Sequence, residues 1–434
     1  MPSTTYETLH ERMLTETLPN GLTVHLVPKK GYSKAYAVFT TRYGSLDNHF
    51  RVDGEPEQRV PDGIAHFLEH KLFEEEWGDI FHTFATNGAS ANAYTSHHRT
   101  AYLFSATSKV EENLETLVDF VQRPYLTPEN VEKEKGIIEQ EIRMYDEMPF
   151  WRGYRHLLEN LFVKSPVRID IAGTADSIRE ITPKELLKCY HAFYHPSNMV
   201  LAVVGDIDAE RLMTLVRENQ AKKQFSPPRA IARYFEDEPT ALNRARSEIR
   251  MPVSRPLILL GWKEQHTLDG LGQLRRELVM QLVQDVLFGH ASALFQDLLD
   301  AGVIDESFSC DYEVGPAYGF SFIASETDEP ERFETAVRET IAKAIADGLA
   351  GEDFERARRK QLGEYLHALN SPEAIANQLT EVAIKQADFF RVPELIASLT
   401  LEEANDALRG HYQLDHTAAS LVLPSGEAPA EDEE

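Results

Sequence analysis

Cysteine is scarce in this chain of 434 residues, which contains only Cys189 and Cys310. The two positions lie far apart in the sequence and form no C-x-x-C pair, so a disulfide framework is not expected. The first residues lack a basic start followed by an apolar stretch, and no secretory signal is therefore predicted. We expect two free thiols and a cytoplasmic location.

Positive charge is also in short supply, since 44 Lys and Arg face 71 Asp and Glu and the net charge is −27 at pH 7. Nucleic acid is not expected as a partner, because binding to its phosphates needs a basic surface. No apolar run appears long enough to span a bilayer, so a membrane is not expected either. Hydrophobic residues make up 42% of the chain, which is enough to bury a large core in two or three domains.

The most informative motif is H-x-x-E-H, formed by His66, Glu69 and His70 in an apolar-periodic segment that Asp62 is predicted to cap. On a helix each residue advances by about 100°, so His70 lies at about 40° and Glu69 at about −60° relative to His66. Two imidazoles and a carboxylate on one face suit a zinc site with an adjacent acid. The order is typical of inverzincins, although a surface helix bearing His and Glu could show it by chance.

A catalytic zinc usually takes a third protein ligand and keeps one position open. The helical pattern at Pro128–Met144 offers Glu134, Glu139 and Glu141. Glu134 and Glu141 lie within about 20° of each other on a helix, whereas Glu139 lies about 140° from Glu134. The spacing suits one ligand and one supporting acid but does not decide which is which. A charged, solvated face is the alternative for this helix.

The second half of the chain repeats the pattern of the first. LTPENVEKEKGIIEQEI, from Leu126, aligns without gaps on LAGEDFERARRKQLGEYL, from Leu349, at an offset of 223 residues (349 − 126). The repeat predicts two homologous α/β domains. We place an N-terminal domain with the zinc site at 1–225, a linker at 226–248, a C-terminal domain without a zinc motif at 249–424, and an acidic disordered tail at 425–434.

A set of longer motifs resembles the pitrilysin/insulinase family of zinc peptidases over nearly the whole chain. They occur in the family's order: PDGIAHFLEHKLFE (61–74), NAYTSHHRTAYLF (92–104), VEKEKGIIEQEIRMYDEMPFW (131–151), IAGTADSIREIT (171–182) and FYHPSNMVLAVVGDID (193–208). LNSPEAIANQ (369–378) is similar to bacterial members in particular. The resemblance implies an α+β fold like that of mitochondrial processing peptidases. In that fold two homologous domains each have a mostly antiparallel sheet packed by helices on one face, in a clamshell assembly.

The resemblance also assigns roles to the motif residues. It implies that Glu141 is the third zinc ligand beside His66 and His70, with one zinc ion per chain. Glu134 takes the position of the accessory acid and Glu69 that of the general base. Asn92 and Ala93 correspond to an edge strand on which the family holds extended peptides by strand addition; a turn or capping role is the alternative for Asn92.

The chain departs from the family pattern in its second half. The repeat places Ala357 opposite Glu134, and no second H-x-x-E-H occurs. Active members carry an Arg, and seven residues later a Tyr, that reach the substrate and the developing oxyanion. These positions fall on Leu299 and Glu306. We therefore expect a homologous partner subunit that supplies the Arg/Tyr pair, or otherwise a homodimer.

The resulting expectation is a zinc metalloendopeptidase that cleaves peptides or small unfolded proteins inside a closed chamber, as the zinc-bearing subunit of a heterodimer. A non-catalytic structural or assembly protein of the same fold is the main alternative, and the missing Arg/Tyr pair favours it for the isolated chain. A zinc lyase or another hydrolase with similar ligands is a third option, which would need a small pocket.

Overall fold

The computed structural model describes residues 3–265 and 268–426. Of the predicted acidic tail, 427–434 lie outside the described residues. The chain divides into two units, neither continuous in sequence. The first unit comprises Met1–Ile142, Asp170–Tyr234 and Tyr365–Val392, and the second comprises Arg143–Ile169, Phe235–Glu364 and Pro393–Glu434.

The strands, in chain order, are β1 (Ser3–Tyr6), β2 (Glu11–Thr17), β3 (Thr23–Pro28), β4 (Ala35–Thr41), β5 (His49–Val52), β6 (Gln58–Arg59), β7 (Glu74–Glu75), β8 (Gly78–Asp79), β9 (Ala89–Thr95), β10 (Thr100–Ala106), β11 (Met199–Gly205), β12 (Ile231–Arg233), β13 (Arg246–Met251), β14 (Leu257–Lys263), β15 (Ser309–Gly315), β16 (Tyr318–Glu326) and β17 (Ala418–Pro424).

The helices are α1 (Ile64–Leu72), α2 (Phe81–Thr86), α3 (Val110–Val121), α4 (Pro128–Glu147), α5 (Pro149–Leu161), α6 (Ala175–Arg179), α7 (Pro183–Phe193), α8 (Ala209–Ala221), α9 (Gly270–Phe288), α10 (Ala293–Asp300), α11 (Pro330–Asp347), α12 (Gly351–Ala368), α13 (Pro372–Ile384), α14 (Val392–Ser398) and α15 (Leu401–His411). Short 3₁₀ helices lie at Glu7–Leu9, Pro166–Arg168, Pro196–Asn198, Phe389–Arg391 and Leu414–His416.

The first unit is built on a seven-stranded sheet of order β1-β2-β3-β11-β4-β10-β9, in which β3 and β11 pair in parallel and the other neighbours are antiparallel. The main core, which includes α1 and α3, covers the face of β4 that carries Ala37 and Phe39. Tyr36 alternates to the opposite face and contacts Glu373 of α13 at 3.4 Å. The sheet is therefore covered on both faces at β4, and β9 forms an edge.

The second unit repeats this topology on a smaller scale. Its five-stranded sheet has the order β13-β17-β14-β16-β15, with β13 and β17 parallel and the other pairs antiparallel. This order matches β3-β11-β4-β10-β9 of the first unit strand for strand. Helix α5 packs closely on this sheet, since a Cβ at Gly153 would lie 2.7 Å from Leu259 and 3.0 Å from Val422.

The predicted domains were continuous in sequence, but two segments lie in the other unit of the structure. The predicted domain 1–225 contains Arg143–Ile169 with α5, which lies in the second unit, and the predicted domain 249–424 contains Tyr365–Val392 with α13, which lies in the first. An amphipathic helix shows which of its faces is buried but not which sheet covers it. The boundary between Tyr234 and Phe235 falls inside the predicted linker, 226–248, although β12 pairs there with β5.

One segment departs from the expectation that no apolar run could span a bilayer. Gly270–Asp300, which contains α9 and α10, has a window of mean hydropathy 1.3 and is long enough for a membrane span by length and composition alone. In this structure 61% of that window is buried, as in the core helix of a folded domain.

Candidate metal centre

Helix α1, which carries the H-x-x-E-H motif, follows a glycine that the local backbone requires. Gly63 has a φ of 85°, and a Cβ there would lie 2.3 Å from the carbonyl oxygen of Ala172. The predicted cap at Asp62 is wrong, because no described side chain caps α1 and the Asp62 carboxylate accepts a hydrogen bond from Asn48 Nδ2 at 2.6 Å. Glycine is needed at position 63 because a residue with a Cβ atom would be strained at this positive φ and would clash with Ala172.

Burial decides which side of α1 faces the site. The helix packs its apolar side chains into the core: Ile64, Ala65, Phe67, Leu68 and Leu72. His66 and His70 occupy the other side, with side chains 12% and 26% exposed and ring centroids 4.5 Å apart. The two imidazoles are thus held beside each other and remain accessible.

Glu141 reaches both imidazoles from α4. One of its carboxylate oxygens lies 3.6 Å from His66 Nε2, and the other lies 3.5 Å from His70 Nε2. One ligand atom from each of the three residues lies within 4.8 Å of the other two. Atoms bound tetrahedrally to one zinc ion, each about 2.1 Å away, stand about 3.4 Å apart. The donor set and its spacing therefore fit a zinc ion.

The other two glutamates of α4 have different partners. Glu134 Oε1 accepts a hydrogen bond from His70 Nδ1 at 3.1 Å, and its Oε2 pairs with the buried Lys71 Nζ at 3.3 Å. Burial alone would raise the pKa of Glu134, but His70 and Lys71 lower it. Glu139 pairs with Arg179 at 2.9 Å. The geometry thus favours Glu141 as the ligand and Glu134 as the residue that fixes the His70 ring.

Burial and neighbouring charges set the protonation of the site when no cation is bound. Burial, followed by the nearby His70, lowers the pKa of His66 to about 3. Burial would also lower the pKa of His70, but the hydrogen bond to Glu134 and the charges of Glu69 and Glu141 raise it. Burial raises the pKa of Glu141. His66 is therefore neutral near pH 7 and needs no deprotonation before it can bind a cation.

Glu69 is 8% exposed and lies on the same helix as the two histidines. Its Oε2 accepts a hydrogen bond of 2.6 Å from Thr95 Oγ1 on β9. Burial raises the pKa of Glu69, and the hydrogen bond opposes this effect. A carboxyl group with a raised pKa is suited to proton transfer near neutral pH.

Sequence reasoning did not find Thr95 or Lys71 as parts of this site. Thr95 lies within the quoted stretch NAYTSHHRTAYLF, but the spacing along β9 does not reveal a contact with α1. Lys71 follows His70 directly, and its burial beside Glu134 has no signature in the sequence, because lysine is usually exposed.

Asn92 and Ala93 lie in the middle of β9, where they pair with Leu103 and Tyr102 of β10. In the described part of the chain, β9 pairs only with β10 and so leaves one backbone edge open. The Asn92 side chain is exposed, and its Oδ1 accepts a hydrogen bond from the Ala93 amide at 2.9 Å. Asn92 is therefore a strand residue, on an edge that an extended peptide could extend.

The second unit has a counterpart of this site at matching places in the topology. Helix α9 lies between β14 and β15 as α1 lies between β4 and β9, and the same dipeptide stands at the C-terminal end of each: Leu72-Phe73 and Leu287-Phe288. Counting back from that dipeptide, Gln281, Gln284 and Asp285 stand where the first unit has the H-x-x-E-H residues. The second copy thus keeps the spacing and lacks the imidazoles.

A lysine lies among these counterpart residues. Lys360 of α12 forms ion pairs with Asp285 and, at 3.7 Å, with Glu364. Glu364 is the repeat counterpart of Glu141, at the offset of 223 residues (364 − 141). The ammonium group therefore contacts the carboxylates at two of the three positions that correspond to metal ligands.

The positions expected to carry the Arg/Tyr pair hold side chains that cannot replace it. Leu299 is 42% exposed on α10, and Glu306 is exposed in the following loop. Tyr312 and Tyr318, the two tyrosines nearby, are buried; their hydroxyl groups donate to Glu264 at 2.8 Å and to Glu313 at 2.6 Å. Neither tyrosine is available as a substitute.

Comparisons with known proteins agree with this geometry. The profile of the family described as "Insulinase (Peptidase family M16)" matches residues 56–175, and that of "Peptidase M16 inactive domain" matches residues 180–361. The uncharacterized zinc protease YmfH of Bacillus subtilis (strain 168) is 47% identical over 421 residues, which cover 96% of this chain and 98% of the relative. The chain belongs to peptidase family M16.

Solved and curated M16 relatives extend this conclusion to the fold. The crystal structure of an M16-like peptidase from Alicyclobacillus acidocaldarius has a TM-score of 0.93 and 42% sequence identity, covering 96% of this chain and 99% of the other. An Arabidopsis thaliana protein named "Probable mitochondrial-processing peptidase subunit beta" is 28% identical over 418 residues, or 91% of this chain and 74% of the relative. The predicted family and two-domain fold are confirmed, and the M16 relatives support a metallopeptidase.

Proposed function

We propose that this M16 chain is a zinc-dependent endopeptidase that cleaves peptides or small unfolded proteins. The observation that carries the proposal is the convergence of His66, His70 and Glu141 on one point, with Glu69 beside them on the same helix. The name of the relative YmfH, a zinc protease, supports the choice of metal and reaction.

The mechanism assigns one task to each residue. Zinc, when bound by His66, His70 and Glu141, would lower the pKa of water toward about 7 and polarise a peptide carbonyl. Glu69 accepts the proton of the attacking water and delivers it to the leaving amine. Glu134 accepts a hydrogen bond from the Nδ1–H group of His70, which leaves Nε2 as the ligand atom.

The substrate is held on the edge strand. An extended peptide that pairs with the open side of β9 at Asn92 and Ala93 would form main-chain hydrogen bonds and would require no fixed side-chain sequence. We propose that the natural substrates are therefore extended peptides or unfolded segments, because a folded domain has no free backbone to offer.

The proposed assembly is a heterodimer that encloses a chamber. Leu299 has no hydrogen-bond donor, and the Glu306 carboxylate would repel a developing oxyanion. A homologous partner with an Arg and a Tyr at these two positions would complete the site, and a second copy of this chain is the other possible partner. We place the enzyme in the cytosol, a location that the two unpaired cysteines support.

A non-catalytic role in assembly is the second candidate. The loss of the Arg/Tyr pair favours it, as does the match of residues 180–361 to the M16 inactive domain. Retention of all three metal-binding side chains and of Glu69 favours the enzyme.

Metal analysis combined with cleavage of a quenched fluorescent peptide tests the proposal. We expect zinc to copurify and Glu69→Gln to retain zinc but lose turnover. Glu139→Gln is the matched control, since that residue lies on α4 and pairs with Arg179, and it should cleave like the parent. Full cleavage by Glu69→Gln would refute the assignment of the base, and the absence of zinc binding would refute the proposed function.

A further inference from the structure

Glu69 is a flexible side chain whose carboxylate has to face a water molecule in a defined direction. Among the described residues, Thr95 is the one hydrogen-bond donor to that carboxylate, and it binds Oε2 at 2.6 Å. The other oxygen, Oε1, is left for proton transfer. Because a charge-assisted hydrogen bond of this length is strong, it restricts rotation of the carboxylate plane.

A second threonine lies beside the Thr95 hydroxyl group and does not donate to it. Thr100 pairs with Thr95 across the β9–β10 ladder, and the two hydroxyl oxygens lie 3.3 Å apart. Thr100 donates its single hydroxyl proton to the Tyr43 carbonyl oxygen at 2.9 Å. An ionised Glu69 can only accept, so the Thr95 proton points at Glu69.

The backbone that carries Thr95 is itself braced. The turn after β9 is closed by the Ser96 amide bonding to the Arg99 carbonyl oxygen at 2.8 Å. The Arg99 side chain then pairs with Glu381 of α13 at 2.9 Å. Tyr94, next to Thr95, donates its hydroxyl proton to Asn377 of the same helix at 3.2 Å. Thr95 thus lies on a strand anchored to α13.

We propose that Thr95 is a positioning residue that orients the Glu69 carboxylate. The inference rests on the proposed function and adds a link that the motif does not contain. Strand β9, which is proposed to bind the peptide, also carries the hydroxyl group that orients Glu69. One strand would therefore fix the positions of both the substrate backbone and the proton acceptor.

Replacement of the hydroxyl group tests the proposal. Thr95→Val keeps the shape and β propensity of the side chain and removes the donor, whereas Thr95→Ser keeps the donor. For Thr95→Val we expect kcat to fall by about tenfold or more, with KM and zinc content unchanged. Thr95→Ser should restore most of kcat.

Thr17→Val is the matched control, because Thr17 forms a similar Thr–Thr contact, with Thr23 at 3.2 Å, and touches no site residue. This variant should behave like the parent.

A separate readout is the affinity for an uncleaved peptide. In a Glu69→Gln background, Thr95→Val should leave the peptide Kd unchanged, because positioning of the base does not alter binding to β9. Parental kcat in Thr95→Val, an equal loss in Thr95→Ser, or a parallel loss of zinc or peptide affinity would each overturn the inference. In all these cases the parent still cleaves, whereas failure of the proposed function would appear as a parent with no zinc and no turnover.

Discussion

Four glutamates near the metal centre have different partners, and the partners separate their roles at the scale of single residues. Glu141 faces two Nε2 atoms, Glu69 accepts from a threonine hydroxyl, and Glu134 contacts His70 Nδ1 and Lys71. Glu139 forms an ion pair with Arg179. The same functional group thus serves as a proposed ligand, base, supporting acid and surface ion-pair partner, because each position on α1 or α4 offers it different neighbours.

Glu134→Gln tests the supporting role. The amide keeps the size of the side chain but loses the charge that holds the His70 ring, so we expect zinc affinity to fall by about 10- to 100-fold. Competition with a chromophoric chelator measures that affinity. Glu139→Gln should leave it unchanged, and an equal loss in both variants would mean that the charge of α4 as a whole, not the contact to His70, controls metal binding.

At the scale of elements, the local pattern predicted the motif helix and not its neighbours in space. The spacing of His66 and His70 placed them on one face of α1, and the periodicity of α4 paired Glu134 with Glu141. These are properties of a single helix. The contact of Thr95 with Glu69 joins two elements, and no periodicity encodes it.

The sequence pattern could not predict that α5 and α13 each lie in the other unit, because that placement also depends on contacts between elements. Helix α13 follows α12 in the chain but packs in the first unit, and α5 follows α4 but packs in the second. Each is amphipathic, so each had to bury a face, and two similar sheets were available to bury it. The choice depends on contacts such as Arg99 with Glu381, which connect residues far apart in sequence.

The ion pair between Glu381 of α13 and Arg99, in the turn between β9 and β10, should make the free energy of unfolding depend on pH. Burial alone would raise the pKa of Glu381, but the charges of Arg99 and Lys385 outweigh it and lower the pKa below its ordinary value of 4.5. A carboxyl group whose pKa is lower in the folded state adds to the free energy of unfolding, and the full contribution is present above pH 4.5, the ordinary pKa of the group. This contribution is lost as the pH falls through the lower, folded-state value.

Chemical denaturation of the parent and Glu381→Gln from pH 7 to pH 3 measures this contribution. At pH 7 we expect the free energy of unfolding of the variant to be lower by on the order of 2 kcal/mol, because the Arg99–Glu381 pair is largely buried. The difference from the parent should shrink toward pH 3. Glu373→Gln, at the start of the same helix, should show little change. A constant difference at all pH values would contradict the linkage.

The counterpart helices of the second unit predict the metal stoichiometry. Lys360 contacts Asp285 and Glu364 where the first unit has metal-binding side chains. We therefore expect one zinc ion per chain by elemental analysis and almost none in His66→Ala. Asp285→Asn is the control and should retain the single ion. Two ions in the parent, or one retained in His66→Ala, would show that the second unit also binds metal.

At the scale of the whole molecule, the proposed function gives the chain a complete set of candidate metal ligands and an incomplete substrate site. The residues that would bind zinc and move the proton all lie in the first unit. The positions at which the family resemblance predicts an Arg and a Tyr, Leu299 and Glu306, lie in the second and carry no suitable donor. Under the proposed function, such a chain would bind metal and peptide alone but would lack the donors that act on the transition state.

The final prediction concerns a partner. We expect this chain alone to cleave a quenched peptide slowly, and a homologous chain that carries Arg and Tyr at the two positions and lacks H-x-x-E-H to raise kcat by about 100-fold or more, as oxyanion donors do. The partner with those two residues changed to Leu and Phe should still associate, as judged by analytical ultracentrifugation, without restoring the rate. If this chain alone already cleaved at the rate of the mixture, the donors would have to come from its own residues, and the shared site would be wrong.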